Sequence, residues 1–278
     1  MTSEEYNYRG LKFICPKLSA IFGTKLFGYN TFLETKETPA PDAEPFCISK
    51  FNAPNPLIKV IGEVWNASNF CRPDGLRILD MPIKMAYNNE YRMPPELDGF
   101  YSTIADILNY EHRHNPYVDQ CYAYLTIDQG LVMPGTTQRN PGCHVDGFQG
   151  ARITEKTVVN RSYVASCCLP TVFYNHGFDL TALDPSKHDF FLEMDRLAQE
   201  ENAFQPNPFQ IVLMNAYTVH RAVIAHAPVY RTFFRLSYDV KIFDRLGNTH
   251  NPMFNYNWNM VERDVHDSLT AYVPGENQ

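Results

Sequence analysis

Residues 230–239 read Tyr-Arg-Thr-Phe-Phe-Arg-Leu-Ser-Tyr-Asp, an aromatic and β-branched stretch that predicts a strand over residues 232–240. Side chains two apart on a strand share a face. The more apolar face comprises Thr232, Phe234, Leu236 and Tyr238. The opposite face comprises Arg231, Phe233, Arg235 and Ser237. Because an unpaired buried guanidinium is costly, the two arginines need an acidic partner, which is either an Asp or Glu of the protein or a bound dicarboxylate.

Further strands are predicted on the N-terminal side of this stretch. They are short, rich in aromatic or β-branched residues, and cover residues 121–127, 162–169, 171–174 and 209–215. Asp128 to Gly130 is predicted to turn the first of them. Apolar residues at helical spacing predict a helix from Leu97 to His112, and Asp184-Pro185 opens another that extends to about Asn202. This pattern indicates a mainly β fold with flanking helices (α+β), a sandwich or barrel.

The chain is predicted to form a single domain over residues 1–278. Residues 116–245 are the expected β core, with the inserted helix near residues 185–202. Residues 1–115 are expected to support this core, and residues 246–278 to cover it. The sequence contains no internal repeat, so a solenoid is excluded.

Composition disfavours several classes of partner. The 24 basic and 31 acidic residues give a net charge of −7, and no Lys/Arg run exceeds two residues, so nucleic acid is not expected as a ligand. No apolar run approaches the ~20 residues of a membrane-spanning helix, and the N-terminus is acidic, so we expect a cytoplasmic protein without a membrane partner. The seven cysteines contain no C-x-x-C pair, which argues against a disulfide framework or a zinc ribbon.

The candidate metal ligands begin with Gly-Cys-His-Val-Asp-Gly at residues 142–147. On a strand, His144 and Asp146 project to one side and form two arms of a site for a divalent metal. H-x-D alone equally describes a histidine that is hydrogen-bonded to a nearby aspartate. His220 follows 220 − 144 = 76 residues later, just after an apolar strand. Two histidines and a carboxylate on one face of a metal form the triad of non-haem Fe(II) oxygenases, and a barrel or jelly roll can bring such distant strands together.

In this combination the sequence resembles the Fe(II)/2-oxoglutarate-dependent dioxygenase superfamily, whose pattern is H-x-D, a distal His and a later Arg. The resemblance covers roughly residues 122–240. It implies a double-stranded β-helix, which is a jelly-roll, cupin-like core, with His144, Asp146 and His220 as iron ligands. It also implies Fe(II), 2-oxoglutarate and O2 as cofactors. Since related halogenases have a small residue in place of the carboxylate, Asp146 indicates a hydroxylase or another oxidative member.

Two arginines match the position that grips the distal carboxylate of 2-oxoglutarate in this superfamily. Arg231 follows His220 by 231 − 220 = 11 residues, and Arg235 follows it by 235 − 220 = 15. The earlier of two such arginines often holds 2-oxoglutarate and the later a substrate acid, which favours Arg231. The R-x-S form of Arg235 and Ser237 favours the opposite order, so both assignments stay open. Tyr124 is predicted as a further co-substrate contact.

The resemblance implies oxidation of a C–H bond in a small polar or amino-acid-like molecule, with release of succinate and CO2. The expected oligomeric state is a monomer or a homodimer. Gln138 and Arg139 lie in a polar, turn-rich stretch before the metal strand, so they are predicted substrate contacts, together with Arg235 and Gln149. Two alternatives remain. One is a cupin-like isomerase or lyase that does not use 2-oxoglutarate, and the other is a non-catalytic β-sandwich binding module with structural histidines.

Overall fold

The computed structural model describes residues 5–8, 11–14, 47–55, 57–64, 66–71, 73–146, 161–184 and 187–262. Within these residues the chain is mainly β. The strands are β1 (Glu5–Tyr8), β2 (Leu11–Ile14), β3 (Lys59–Glu63), β4 (Arg77–Lys84), β5 (Glu90–Arg92), β6 (Tyr122–Val132), β7 (Arg161–Ser166), β8 (Val172–Tyr174), β9 (Ala203–Phe204), β10 (Gln210–Asn215), β11 (His220–Arg221) and β12 (Val229–Asp239). The α-helices are α1 (Ala67–Phe70), α2 (Tyr101–His114) and α3 (Phe190–Leu197). Among the described residues, no helix has both the length and the hydropathy needed to cross a membrane.

The strands form two sheets. The large sheet has the order β1-β2-β5-β4-β6-β12-β7-β10-β3, and the small sheet has the order β11-β8-β9. Neighbouring strands are antiparallel except β2 and β5, which are parallel. The longest pairing joins β6 and β12, from Val132 opposite Val229 to Tyr122 opposite Asp239. These two strands form the centre of the large sheet, and β12 carries both predicted arginines.

One face of the large sheet packs against helix α2, as the alternation in β12 predicts. Phe234, Leu236 and Tyr238 are fully buried on this face. Their cluster includes, from β6 and α2, Leu125, Ile127, Ile104, Ile107 and Leu108. Since each such side chain contributes about 1.5–3 kcal/mol on burial, this layer holds α2 on the sheet.

The opposite face of the large sheet meets the small sheet. The buried cluster between them contains Val164, Phe173, Val212, Met214 and Phe233. Phe204 of β9 packs against this cluster, with its ring centroid 6.3 Å from that of Phe173. Arg231 and Arg235 are on the same face of β12 as Phe233, so both arginines enter the layer between the two sheets.

The five predicted strands are confirmed, with shifted ends. The predicted turn at Asp128 to Gly130 is wrong, because β6 continues to Val132. Asp128 pairs with Phe233 and Gly130 with Arg231 in the β6–β12 ladder. Backbone hydrogen bonds to a long neighbouring strand thus override the local turn signal.

Both predicted helices differ from their expected ranges. The first is a 3-10 turn over Pro95–Phe100 followed by α2. The second is short: α3 begins at Phe190, because the Asp189 carboxylate accepts the N–H groups of Phe191 and Leu192. A 3-10 turn at Glu200–Asn202 lies at the C-terminal end of the predicted helix, and residues 185 and 186 lie outside the described residues.

Lys84 is a fully buried cation at the end of β4. Its Nζ donates to the carbonyl oxygens of Met85 at 3.2 Å, Asp119 at 3.1 Å and Cys121 at 2.6 Å. Burial lowers the pKa of Lys84 to about 8, although the charges of nearby acidic groups partly oppose that shift. The three carbonyls account for all three ammonium hydrogens, so the cation is solvated by the protein instead of by water.

We expect the free energy of unfolding to rise between pH 8 and pH 9.5 because of Lys84. The unfolded chain keeps this proton up to a pKa of about 10.4, whereas the folded protein releases it near pH 8. In that window the unfolded state binds more protons, so raising the pH stabilises the fold. Lys84→Met should remove this rise and cost about 1–3 kcal/mol at pH 7, because three carbonyls lose their donor. Urea unfolding of both proteins at several pH values measures the difference, and equal pH slopes would contradict it.

Candidate metal centre

His144 and His220 face each other across a pair of backbone hydrogen bonds. The N–H of each donates to the carbonyl oxygen of the other, and both N···O distances are 3.0 Å. Strand β11 also pairs with β8, where His220 lies opposite Phe173. The two imidazole centroids are 4.5 Å apart. Sheet pairing therefore brings together two histidines that are 76 residues apart in sequence (220 − 144).

Backbone carbonyls fix the orientation of both imidazole rings. Nδ1 of His144 is 2.8 Å from the carbonyl oxygen of Gly142, and Nδ1 of His220 is 2.9 Å from that of Thr218. A carbonyl oxygen only accepts, so each Nδ1 is the donor and each Nε2 is left for another partner. Burial, followed by the effect of the His144 ring, lowers the pKa of His220 to about 4 despite the opposing charge of Asp146. His220 is therefore neutral at pH 7, as a metal ligand must be.

Asp146 completes the group. Its Oδ1 is 3.8 Å from Nε2 of His220, and the candidate ligand atoms of His144, Asp146 and His220 all lie within 4.8 Å of one another. In the part of the chain that the structure describes, no other group of three His, Cys, Asp or Glu side chains has this spacing. Two imidazole nitrogens and one carboxylate oxygen suit a divalent transition metal and leave coordination positions open for other ligands.

Arg235 is bonded to the carboxylate of the candidate ligand Asp146. Its Nη1 donates to Oδ2 of Asp146 at 2.6 Å. Burial alone would raise the pKa of Asp146, but the charge of Arg235 and, less strongly, that of Arg139 hold that pKa below the usual carboxyl range. Asp146 is thus ionised, and Oδ1 can bind a metal while Oδ2 stays on the arginine.

Asp80 is the second carboxylate on Arg235 and is absent from the residues predicted from sequence. Nη2 of Arg235 donates to Oδ1 of Asp80 at 2.8 Å. Asp80 lies in β4, where the pairing with β6 shifts register between Ile78 and Met81, and its φ of 43° is positive. The sequence around it, Leu-Asp-Met-Pro, carries no metal or catalytic motif that could have indicated this role.

Arg231 has a different environment. It is 3% exposed, and its Nε donates to the carbonyl oxygens of Cys168 at 3.1 Å and Leu169 at 3.2 Å. Its Nη1 donates to Oε1 of Gln138 at 2.7 Å, and its guanidinium carbon lies 5.2 Å from the Phe233 ring centroid. Within the described residues, no carboxylate is within ion-pair distance of Arg231 and its Nη2 makes no hydrogen bond.

The predicted substrate contacts Gln138 and Arg139 lie beside Arg231. The Gln138 amide nitrogen donates to the carbonyl oxygens of Asp128 at 2.9 Å and Arg231 at 3.3 Å, so its amide is engaged within the protein. Arg139 lies over Phe233, with its guanidinium carbon 5.1 Å from the ring centroid. Its one ion pair among the described residues, with Asp128, is long at 3.4 Å, and 32% of its side chain is exposed. Arg139 therefore has donors available for an anion.

The remaining predicted site residues are not among the ligand group. The Tyr124 hydroxyl donates to the carbonyl oxygen of Lys241 at 2.9 Å and accepts the N–H of Phe243 at 3.1 Å. The Ser237 hydroxyl bonds that of Ser162 at 2.8 Å, and no hydrogen bond joins it to Arg235 in the described chain. Gln149 lies outside the described residues.

Among the described residues, the other histidines belong to no group of possible metal ligands. Nε2 of His112 is 3.0 Å from the Tyr91 hydroxyl, and burial lowers the pKa of His112 to about 4. His226, the nearest rival of His220 in sequence, is exposed and does not belong to the ligand group. The two-histidine, one-aspartate group is therefore the candidate centre.

No protein-family model matches this sequence, and a comparison with curated proteins finds no match. What the site can do is therefore inferred from its own side chains. The structure shows a mainly antiparallel β fold with a His-Asp-His group able to hold a metal ion.

Proposed function

We propose that the chain is an Fe(II)- and 2-oxoglutarate-dependent oxygenase with a double-stranded β-helix core. The observation that carries the proposal is the juxtaposition of two groups. The candidate ligand atoms of His144, Asp146 and His220 lie within 4.8 Å of one another, and Asp146 is bonded to Arg235 of β12. Arg231, a buried arginine without an acidic partner in the described structure, projects from the same face of that strand. Two facing, mainly antiparallel sheets support a jelly-roll core.

The donor set fits Fe(II). His144 and His220 each offer Nε2, because Nδ1 is held by a carbonyl, and Asp146 offers an ionised oxygen. Three protein ligands leave open positions at the metal, which is the arrangement of the two-histidine, one-carboxylate oxygenases. A structural zinc site would instead use four protein ligands.

The surrounding charges fit a dianionic co-substrate. Among the described residues, three guanidiniums line this region, on Arg139, Arg231 and Arg235, and three carboxylates oppose them, on Asp80, Asp128 and Asp146. Their charges sum to 3 − 3 = 0. A divalent metal makes the site positive by two charges, and a bound dicarboxylate restores neutrality in a buried layer where net charge is costly.

Each arginine has a distinct role in this proposal. Arg235 stays with Asp146 and Asp80, which already neutralise it. Arg231 binds the distal carboxylate of 2-oxoglutarate through its free Nη2 edge, and Gln138 keeps its guanidinium in place. Arg139, whose side chain is partly exposed, binds an acidic group of a small polar or amino-acid-like substrate. When bound, Fe(II), 2-oxoglutarate and O2 supply the oxidation of a substrate C–H bond, with succinate and CO2 as co-products.

Anaerobic titration with Fe(II) and then 2-oxoglutarate tests the proposal. We expect a visible charge-transfer band from the chelate, and succinate formation once O2 and a substrate are admitted. His144→Ala should lose the band because the metal no longer binds. Arg231→Met should keep the metal but require far more 2-oxoglutarate to produce the band, because the charge-assisted hydrogen bond from Nη2 to the distal carboxylate is lost.

Three other results would reject the proposal. A His144→Ala protein that kept both the band and succinate formation would show that the assigned ligands are wrong. Tight metal binding without any spectral response to 2-oxoglutarate would favour a cupin-like isomerase or lyase. A wild-type protein that held no metal after Fe(II) was added back would favour a non-catalytic β-sandwich module.

A further inference from the structure

Arg235 is shared between two carboxylates that come from distant parts of the chain. Nη1 contacts Asp146 at 2.6 Å and Nη2 contacts Asp80 at 2.8 Å, while Nε is buried and has no hydrogen-bond partner in the described structure. Only 11% of the Arg235 side chain is exposed, so water cannot replace either carboxylate fully. Among the described residues, these two aspartates are therefore the groups that hold the guanidinium.

Asp80 is itself held rigidly. Its N–H donates to Oγ1 of Thr126 at 3.0 Å, and that hydroxyl donates back to Oδ1 of Asp80 at 3.0 Å. The preceding residue, Leu79, exchanges hydrogen bonds with Thr249, at 2.9 Å to Oγ1 and 2.7 Å from the Thr249 N–H. A positive φ at a non-glycine residue costs of the order of 1–3 kcal/mol, and such strain persists only where the surroundings determine it.

We propose that Asp80 is a positioning residue for the metal ligand Asp146. Without the Asp80 charge, Arg235 would pair with Asp146 alone and compete with a cation for that carboxylate. By taking one edge of the guanidinium, Asp80 weakens this competition and keeps Arg235 where it holds Oδ2, so that Oδ1 faces the histidines. The inference rests on the proposed function only in that His144, Asp146 and His220 bind a divalent metal.

Two substitutions separate the charge of Asp80 from its backbone conformation. Asparagine and glycine both tolerate positive φ, so Asp80→Asn and Asp80→Gly should fold. We expect both to bind Mn(II), measured by calorimetry without 2-oxoglutarate, about 10–100-fold more weakly than wild type, as for other outer-sphere partners. Asp179→Asn is the matched control, because Asp179 also accepts a threonine hydroxyl, from Thr181 at 2.6 Å, but is exposed and contacts no arginine in the described structure. This control should bind Mn(II) as wild type does.

A double-mutant cycle with Arg235→Gln tests whether Asp80 acts through Arg235. If Asp80 only supported the fold, the loss of Mn(II) affinity in Asp80→Asn would not depend on Arg235. Glutamine can still donate to Asp146 but carries no charge, so the loss caused by Asp80→Asn should largely disappear in this background. The Co(II) absorption spectrum of Asp80→Asn should also differ from that of wild type, because Asp146 is reoriented.

The outcomes distinguish this inference from the proposed function. Wild-type Mn(II) affinity in Asp80→Asn, or an undiminished loss in the Arg235→Gln background, would overturn the role of Asp80 even if 2-oxoglutarate gives its band. Weakened Mn(II) binding in Asp80→Asn with no response of the wild type to 2-oxoglutarate would support the role of Asp80 and reject the oxygenase. Failure of wild type to bind any divalent metal would overturn both.

Discussion

Asp146→Ala is expected to lose divalent-metal binding and, with it, all metal-dependent turnover. The substitution removes the only carboxylate of the ligand group and leaves two imidazoles whose Nε2 atoms must hold the ion alone. Loss of an outer-sphere partner costs about 10–100-fold in metal affinity, and loss of an inner ligand should exceed that range. Calorimetry with Mn(II) and a succinate assay measure the two effects.

The same variant should remain folded. Arg235 keeps its ion pair with Asp80 at 2.8 Å, so no buried guanidinium is left without a counter-charge. Because the uncompensated charge is what makes breaking a buried pair so costly, the free energy of unfolding of the metal-free variant should stay within about 2 kcal/mol of wild type. Urea unfolding in the presence of a chelator tests this expectation.

His226→Ala is the control for that experiment. His226 lies six residues after His220 (226 − 220), but it is exposed and outside the ligand group. The His226→Ala protein should bind Mn(II) as wild type does. If Asp146→Ala retained wild-type affinity, or His226→Ala lost it, the metal would not be held by the assigned group.

The alternation in β12 could be predicted from sequence because it is a local property of extended backbone. Phe234 and Leu236 lie in the core under α2, as their spacing predicts, and Arg235 projects from the other face. The grouping of His144, Asp146 and His220 could also be predicted, although the two histidines are far apart in sequence, because few chemistries combine two histidines and an aspartate. The structure adds that His144 and His220 pair directly, which no residue pattern specifies.

The partners of the arginines could not be predicted. Asp80 and Arg235 are 155 residues apart, and Gln138 and Arg231 are 93 apart. Asp80 reaches its partner because of an irregularity in the β4–β6 pairing, and such register shifts follow from the packing of the whole sheet. The sequence predicts Gln138 as a substrate contact from its place in a polar loop, and the structure adds that its amide bonds Asp128 and Arg231. In both cases the residue type alone does not specify which side chain it will bond.

Glu111→Ala is expected to have the largest effect on stability, a loss of about 3–5 kcal/mol in the free energy of unfolding. Glu111 is fully buried on α2, against the face of the large sheet that this helix covers. Its carboxylate accepts from Nε of Arg161 at 3.0 and 3.1 Å, from Nδ2 of Asn115 at 2.6 Å and from the Tyr163 hydroxyl. Alanine removes all of these contacts at once and leaves the guanidinium, which is only 20% exposed, without its carboxylate.

Glu200→Ala is the matched control for Glu111→Ala. The Glu200 carboxylate also accepts from an arginine, Nη2 of Arg221 at 3.0 Å, and from a tyrosine, the Tyr174 hydroxyl at 2.8 Å. The difference is exposure, because 62% of the Glu200 side chain is accessible to solvent. Water replaces the lost acceptor there, so the expected cost is below about 1 kcal/mol.

Glu111→Gln separates the charge of this network from its shape. The amide fills the same space and can still accept from Asn115 or Tyr163, but it gives Arg161 no counter-charge. We expect a loss between those of the two alanine variants, because hydrogen bonds to charged groups contribute about 1.5–3 kcal/mol and neutral ones less. Urea midpoints with unchanged m-values measure all three losses. Equal costs for Glu111→Ala and Glu200→Ala would mean that Arg161 finds solvent once its partner is gone, and that the network does not hold α2 on the sheet.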